Sequence, residues 1–175
     1  MTAPIDMHST ETRPTSLSMT VLMTPDMANF SGNVHGGQLL KLLDQVAYSC
    51  ATRYAGTYVV TLSVDRVHFR DVIRVGELVT FSASVNYTGR TSMEIGIRVD
   101  TESIPHGTTR HTNSSYFTMV AVDEDGTPVD IPQRQLTTDL ERERYEAARR
   151  RRHAQRITFA SPHAAPAPES ECAPR

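Results

Sequence analysis

One aspartate stands out as a group that could do chemistry. When residues 35–55 are placed at intervals of about 100°, as in a helix, Asp44 lies at the margin of a broad apolar face. A carboxylate at such a position is costly unless it is paired or used. The alternative is an ion pair with Lys41, three residues earlier, which would contribute only about 0.2–0.5 kcal/mol.

The same predicted helix opens with His35-Gly36-Gly37. Free backbone N–H groups at a helix start stabilise negative charge, and glycine lets a substrate carbonyl approach the backbone closely. The Gly37 amide as an oxyanion donor and Asp44 as a base would together supply the groups that acyl transfer needs. Tight packing at the helix entry is the alternative explanation for the two glycines.

The spacing of Gly37 and Asp44 bears on assembly. Seven residues separate them, which is about 10 Å along a helix axis. One substrate carbonyl therefore cannot contact both on a single helix, whereas an antiparallel partner helix would bring the Gly37 end of one subunit near Asp44 of the other. If these residues cooperate, the site is shared across a twofold dimer.

The elements that must position these residues are one long helix and a set of strands. The helix ends at Gly56, a favoured stop signal. Strand-like segments rich in Val, Ile, Thr, Tyr and Phe are residues 16–23, 58–69, 77–87, 92–100 and 109–122. No helical pattern separates the last four, so the sheet should be antiparallel. We predict an α+β fold, a sheet of about five strands wrapped around the helix, as in a hotdog.

The domain boundaries follow from composition. Residues 1–15 and 158–175 cannot bury enough apolar surface to offset the entropy of ordering, and we predict disordered tails there. Residues 16–135 form the predicted domain. Residues 136–157 form an Arg-rich helix with little apolar surface, which we expect to be solvated on the outside of an oligomer.

Other features exclude several classes of protein. The formal net charge is −2, and the run Arg149–Arg152 lacks the interleaved aromatic residues of a nucleic-acid site. Cys50 and Cys172 are isolated, so neither a disulfide framework nor a metal cluster is indicated. No apolar signal core or membrane-length segment is evident. A cytoplasmic protein without a metal, membrane or nucleic-acid partner is the expectation.

Several blocks of the sequence resemble one family. The pattern Asn29, Gly32, His35-Gly36-Gly37 and Asp44 is similar to the signature N-x-x-G-x-x-H-G-G…D of the hotdog acyl-CoA thioesterases, which include the bacterial short-chain and the brain-type acyl-CoA hydrolases. Further matches lie at residues 64–69, 75–77, 89–94, 116–123 and 126–132.

The resemblance implies hydrolysis of acyl-CoA to a free acid and CoA, in fatty acid metabolism and without a cofactor. Asp44 would be the general base or nucleophile, Asn29 from the opposite subunit would position the water or the carbonyl, and the Gly37 amide would bind the oxyanion. Arg90, Thr91 and Ser92 would lie near CoA, with Arg90 suited to a phosphate. The implied assembly is a homohexamer of three dimers.

Two other functions stay open at this point. A non-catalytic acyl-CoA-binding protein would normally carry a DNA-binding helix-turn-helix, and no segment offers one. A hotdog hydratase usually pairs a histidine with an acid, and no histidine has a suitable spacing from Asp44. His35 is more typical of a capping residue, and His68, His106 and His111 show no metal-ligand spacing. Asn113 and Ser114 are weaker candidates for CoA contacts.

Overall fold

The computed structural model describes residues 13–160, apart from the side chains of Arg66 and of residues 155–160. Its helices and strands are, in chain order, β1 (Ser16–Leu22), α1 (Gly36–Ala55), β2 (Val59–Phe69), β3 (Leu78–Thr88), β4 (Ser92–Ser103), β5 (Thr108–Ala121) and α2 (Asp139–Ala160). All five strands pair antiparallel in the order β1-β3-β4-β5-β2. The predicted α+β class and the single antiparallel sheet are confirmed.

Helix α1 forms the core with the inner face of the sheet. It ends at Gly56, whose φ of 74° is the left-handed conformation that glycine adopts readily. Its fully buried side chains pack against inward-facing residues of the three central strands, among them Phe81, Ile95 and Phe117. The apolar face that the helical spacing predicts is therefore confirmed, except that Leu40, which the spacing also places on this face, is 38% exposed.

The strand register sets out one row of residues across the sheet. Thr88, Met93, Met119 and Thr61 are successive partners on β3, β4, β5 and β2. Strand β2 is an edge strand, and register shifts interrupt its pairing with β5 at Leu62 and again after Asp65. This row places the end of the β3–β4 hairpin near the start of β2.

Helix α2 packs on the outer face of the sheet, contrary to the prediction of a solvated helix. Ala148 is fully buried. Arg151 donates hydrogen bonds of 2.6 and 3.1 Å to Glu94 and lies 3.7 Å over the ring of Tyr116. The interpretation of Arg149–Arg152 as a solvated face is thus wrong for Arg151 and for Arg152, because the sheet supplies polar and aromatic partners that the helix sequence does not reveal.

The chain contacts the folded domain before the predicted boundary at residue 16. Arg13 Nη1 donates to the carbonyl oxygens of Tyr54 and Ala55 at the end of α1, each at 3.1 Å. Helix α2 continues to Ala160, three residues into the predicted C-terminal tail. The remainder of the predicted tails, residues 1–12 and 161–175, lies outside the described residues. Within the described part, no helix is long and apolar enough to cross a membrane.

Candidate functional site

Asp44 is held by a threonine from the neighbouring edge strand. It lies on the exposed flank of α1, and its Oδ1 accepts a hydrogen bond of 2.7 Å from Thr61 Oγ1. The same hydroxyl lies 3.6 Å from the sulfur of Met119. In the described part of the chain Thr61, and not Lys41, is the partner of Asp44. Thr61 was not among the residues predicted from the sequence, because threonine is an ordinary strand residue and nothing local marks it.

Asn29 lies in a tight turn before α1. Its Oδ1 accepts hydrogen bonds from the backbone N–H groups of Ser31 (2.9 Å) and Asn33 (3.2 Å). Because two donors fix the carbonyl oxygen, the amide Nδ2 is directed elsewhere and is left to donate. Nδ2 has no acceptor among the residues and side chains that the structure describes. The adjacent Phe30 is fully exposed, so this turn projects from the subunit.

The amide of Gly37 is not free in this structure. It donates a hydrogen bond of 2.9 Å to Nδ1 of His35, the N-cap residue of α1. The expectation of an open amide at Gly37 is corrected accordingly, because a histidine at the N-cap satisfies the N–H two residues on. The capping role of His35 is confirmed. The N–H of Gly36 has no acceptor among the described residues.

The three residues expected to lie near CoA differ in availability. Arg90 is exposed and forms an ion pair with Asp130 at 3.1 Å. Thr91 is half-buried. Ser92 is only 4% exposed, and its hydroxyl accepts a hydrogen bond of 2.6 Å from Arg152 of α2. The Ser92 hydroxyl is therefore already engaged within the subunit.

The remaining polar candidates lie apart from Asp44. His111 contacts Ser114 through Nε2 at 3.0 Å and approaches Asp100 at 3.5 Å. Asn113 is fully buried and donates to the carbonyl of His68. Among the described residues, no three or more His, Cys, Asp or Glu side chains come together as a set that could hold a metal ion.

Comparison with known proteins places this site in a family context. The family model described as "Thioesterase superfamily" matches residues 31–108. "Protein VdlD" of Helicobacter pylori is 52% identical over 138 residues, which are 79% of each chain. The "Cytosolic acyl coenzyme A thioester hydrolase" of Rattus norvegicus is 35% identical over 136 residues, 77% of this chain and 36% of the relative.

Solved structures agree with this context. An "Apo-Hexameric Acyl-CoA Thioesterase" superposes with a TM-score of 0.79 at 36% identity, covering 83% of this chain and 93% of that one. An acyl-CoA hydrolase from Staphylococcus aureus, in complex with butyryl coenzyme A and coenzyme A, gives a TM-score of 0.75 at 30% identity, covering 82% of this chain and 90% of that one.

Three further structures of the S. aureus enzyme are alanine variants, one each of an asparagine, an aspartate and a threonine. The intervals between those three positions equal the intervals between Asn29, Asp44 and Thr61.

Proposed function

Because this chain belongs to the thioesterase superfamily, we propose that it hydrolyses acyl-CoA thioesters to a free carboxylic acid and coenzyme A. The observation that carries the proposal is the carboxylate of Asp44 on the exposed flank of α1, fixed by Thr61. The matching intervals in the S. aureus variants support the same set of residues. The named substrates of the relatives support the substrate class.

Asp44 acts as the general base in this proposal. Thr61 holds Oδ1, which leaves Oδ2 to take a proton from water. The water oxygen attacks the thioester carbonyl carbon, and the resulting tetrahedral intermediate breaks its carbon–sulfur bond. The proton held by Asp44 passes to the departing CoA thiolate, so the carboxylate is regenerated.

Asn29 and the start of α1 stabilise the reacting oxygen atoms. The Nδ2 of Asn29 donates to the attacking water or to the carbonyl oxygen, since its Oδ1 is fixed by the turn. The Gly37 amide donates to the developing oxyanion once the carbonyl oxygen displaces the ring of His35, which is exposed. The positive end of the α1 dipole favours the same negative charge.

The active unit is a dimer that shares each site between subunits. Asn29 precedes α1, whereas Asp44 lies about 12 Å along the axis from Gly36, so one substrate carbonyl cannot contact both within a chain. The edge strand β2, whose Thr61 contacts Asp44, also exposes apolar side chains, including Leu62 at 67%. In this proposal a second copy packs along β2 and brings its own Asn29 turn, with the exposed Phe30, to Asp44. The hexameric relative supports a trimer of dimers.

Arg90 binds a phosphate group of CoA in this proposal. The hairpin of Arg90 leads into Met93 on β4, which pairs with Met119 on β5, which in turn pairs with Thr61 on β2. Met93 and Thr61 are thus two strands apart, a distance of about 10 Å across the sheet. The exposed guanidinium of Arg90 can exchange the surface pair with Asp130 for a phosphate at little cost. Thr91 lines the same hairpin, and Ser92 serves by anchoring it to α2.

The test is release of free thiol from a panel of acyl-CoA substrates, from acetyl to palmitoyl. We expect turnover that depends on Asp44. We also expect CoA and the free acid to be released in equal amounts. If the protein binds acyl-CoA but releases thiol from none of the substrates in the panel, the proposed hydrolase activity is excluded. The protein would then be an acyl-CoA-binding protein.

A further inference from the structure

The loop that carries Asn29 rests on another segment of the chain. We call residues 24–35 the Asn29 loop and residues 70–77, between β2 and β3, the crossover. The N–H of Val34 donates to the carbonyl of Ile73 at 2.8 Å, and an antiparallel bridge joins the adjacent residues of both segments. Ile73 is 5% exposed and belongs to the core. The crossover therefore forms the support under the Asn29 loop.

The base of the loop is tied to the crossover as well. Met23, directly before the Asn29 loop, accepts from the N–H of Gly76 at 2.7 Å and donates to the carbonyl of Glu77 at 2.9 Å. Gly76 has a φ of 86°, so the crossover turns sharply at this point. Any displacement of the crossover is transmitted to both ends of the Asn29 loop.

One arginine from β5 holds the crossover in place. Arg110 donates through Nη1 and Nη2 to the two carboxylate oxygens of Glu77, at 2.9 and 2.8 Å. Its Nε donates to Asp71 at 2.7 Å, and Nη2 also donates to the carbonyl of Val72 at 2.7 Å. A bidentate pair of this kind fixes position as well as charge. These four hydrogen bonds from the Arg110 side chain all go to the eight-residue crossover.

The charges of this cluster are matched. Hydrogen bonds from Arg110 are the main reason that the pKa of Glu77 and the pKa of Asp71 lie below their usual range. The Glu77 side chain is 8% exposed, so loss of the guanidinium would leave a nearly buried carboxylate with the backbone N–H of Arg74 as its remaining donor among the described residues. The crossover would then relax toward solvent.

The cluster is remote from the other half of the active site. Arg110 and Met119, the neighbour of Thr61, are nine residues apart on β5, which is about 30 Å in an extended strand. We infer that Arg110 is a positioning residue that acts through the crossover on Asn29 of its own chain, and hence on the site completed by Asp44 of the opposite subunit. This inference rests on the shared site proposed above.

Subunit mixing tests the inference. Arg110→Gln should lower kcat about 10-fold to 100-fold, as expected for a misplaced catalytic group. Mixed with Asp44→Asn under subunit exchange, it should recover about a quarter of wild-type activity, because one site of each heterodimer combines an intact Asn29 loop with an intact Asp44. Mixed with Asn29→Ala, it should recover nothing above the parent proteins.

The controls separate a failure of the inference from a failure of the shared site. Asn29→Ala mixed with Asp44→Asn should recover about a quarter of wild-type activity, and no recovery there overturns the shared site and the inference with it. If that pair recovers, any pattern for Arg110→Gln other than the one stated overturns the inference alone. Recovery with Asn29→Ala would place the action of Arg110 on Asp44 instead.

Two further variants guard against misfolding. Asp71 is the more exposed of the two acidic partners of Arg110, and Asp71→Asn keeps the shape of its side chain. This variant should lose less kcat than Arg110→Gln. It should recover activity when mixed with Asp44→Asn and not when mixed with Asn29→Ala. Arg98→Gln is the matched control. Arg98 lies on β4, the strand next to β5, and donates three hydrogen bonds to Asp100 on the same strand, but it does not contact the crossover. The kcat of this variant should equal that of the wild type, and an equal loss in Arg98→Gln would mean that the effect is not specific.

Discussion

Thr61 Oγ1 lies 2.7 Å from Asp44 Oδ1 and donates a hydrogen bond to it. This contact joins the middle of α1 to edge strand β2 across 17 residues of sequence. It orients the carboxylate, whose second oxygen stays available to a water molecule. In the proposed mechanism Asp44 is a base and Thr61 is the donor that orients it, and the two residues can be tested separately.

Asp44→Asn should lower kcat at least about 100-fold, the low end for loss of a general base. The amide keeps the shape and still accepts from Thr61, so the fold should be unaffected. The measurement is thiol release together with thermal unfolding. A folded variant with activity within a few-fold of wild type would contradict the assignment of Asp44.

Thr61→Val removes the hydroxyl while keeping the shape of the side chain. The lost hydrogen bond to a charged group is worth about 1.5–3 kcal/mol, so kcat should fall about 10-fold to 100-fold. Thr61→Ser retains the hydroxyl and is the matched control, with activity close to wild type. Equal activities of the valine and serine variants would show that the contact does not orient Asp44.

Mixing the inactive variants Asn29→Ala and Asp44→Asn should restore about a quarter of wild-type activity after random subunit exchange. Half of the dimers are then heterodimers, and each has one site with both residues intact. If both residues acted within one chain, every site would keep one lesion and no activity would return. Exchange is verified by native mass spectrometry.

Glu141 predicts a pH-dependent contribution of α2 to stability. Its carboxylate accepts hydrogen bonds from the backbone N–H groups of Thr137 and Thr138, which lower its pKa from 4.5 to about 2. Because the pKa is depressed in the folded state, the stabilisation is complete above pH 4.5 and is lost as the pH falls toward 2. The difference in Tm between wild type and Glu141→Gln should therefore be largest near neutral pH and shrink over that interval.

The control for Glu141 is Glu143→Gln, because Glu143 is an exposed acid two residues further along the same helix. Its Tm should follow that of the wild type at every pH. A Tm difference for Glu141→Gln that does not change between pH 7 and pH 3 would contradict a role for the ionised capping carboxylate.

Truncation should distinguish the two parts of the predicted N-terminal tail. Removal of residues 1–12 and 161–175 should leave Tm and kcat unchanged, since their composition cannot support a core. Removal of residues 1–14 should lower Tm, because it deletes Arg13, which donates to the last carbonyls of α1. Arg13→Ala in the full chain should give the same fall in Tm, and equal Tm for both truncations would show that Arg13 contributes nothing.

The helix and the strands were accessible from the sequence because their signals are local. Apolar spacing predicted the buried face of α1, and richness in Val, Ile, Thr, Tyr and Phe predicted the strands. Glycine at position 56 marked the end of α1 through its left-handed conformation. The motif around Asn29 and Asp44 likewise indicated the family and the residues that are candidates for catalysis.

The tertiary structure alone decided which partner each of these groups has. The Thr61–Asp44 contact and the docking of Arg151 on Glu94 join residues 17 and 57 positions apart. Such contacts depend on strand register, on the bulges that shift it and on the face of the sheet that a helix covers. Sequence spacing fixes none of these, because side chains far apart in the chain meet only when the whole sheet is assembled. The sequence by itself therefore determined the elements and the candidate residues, and packing determined how Asp44 is oriented and how α2 is held.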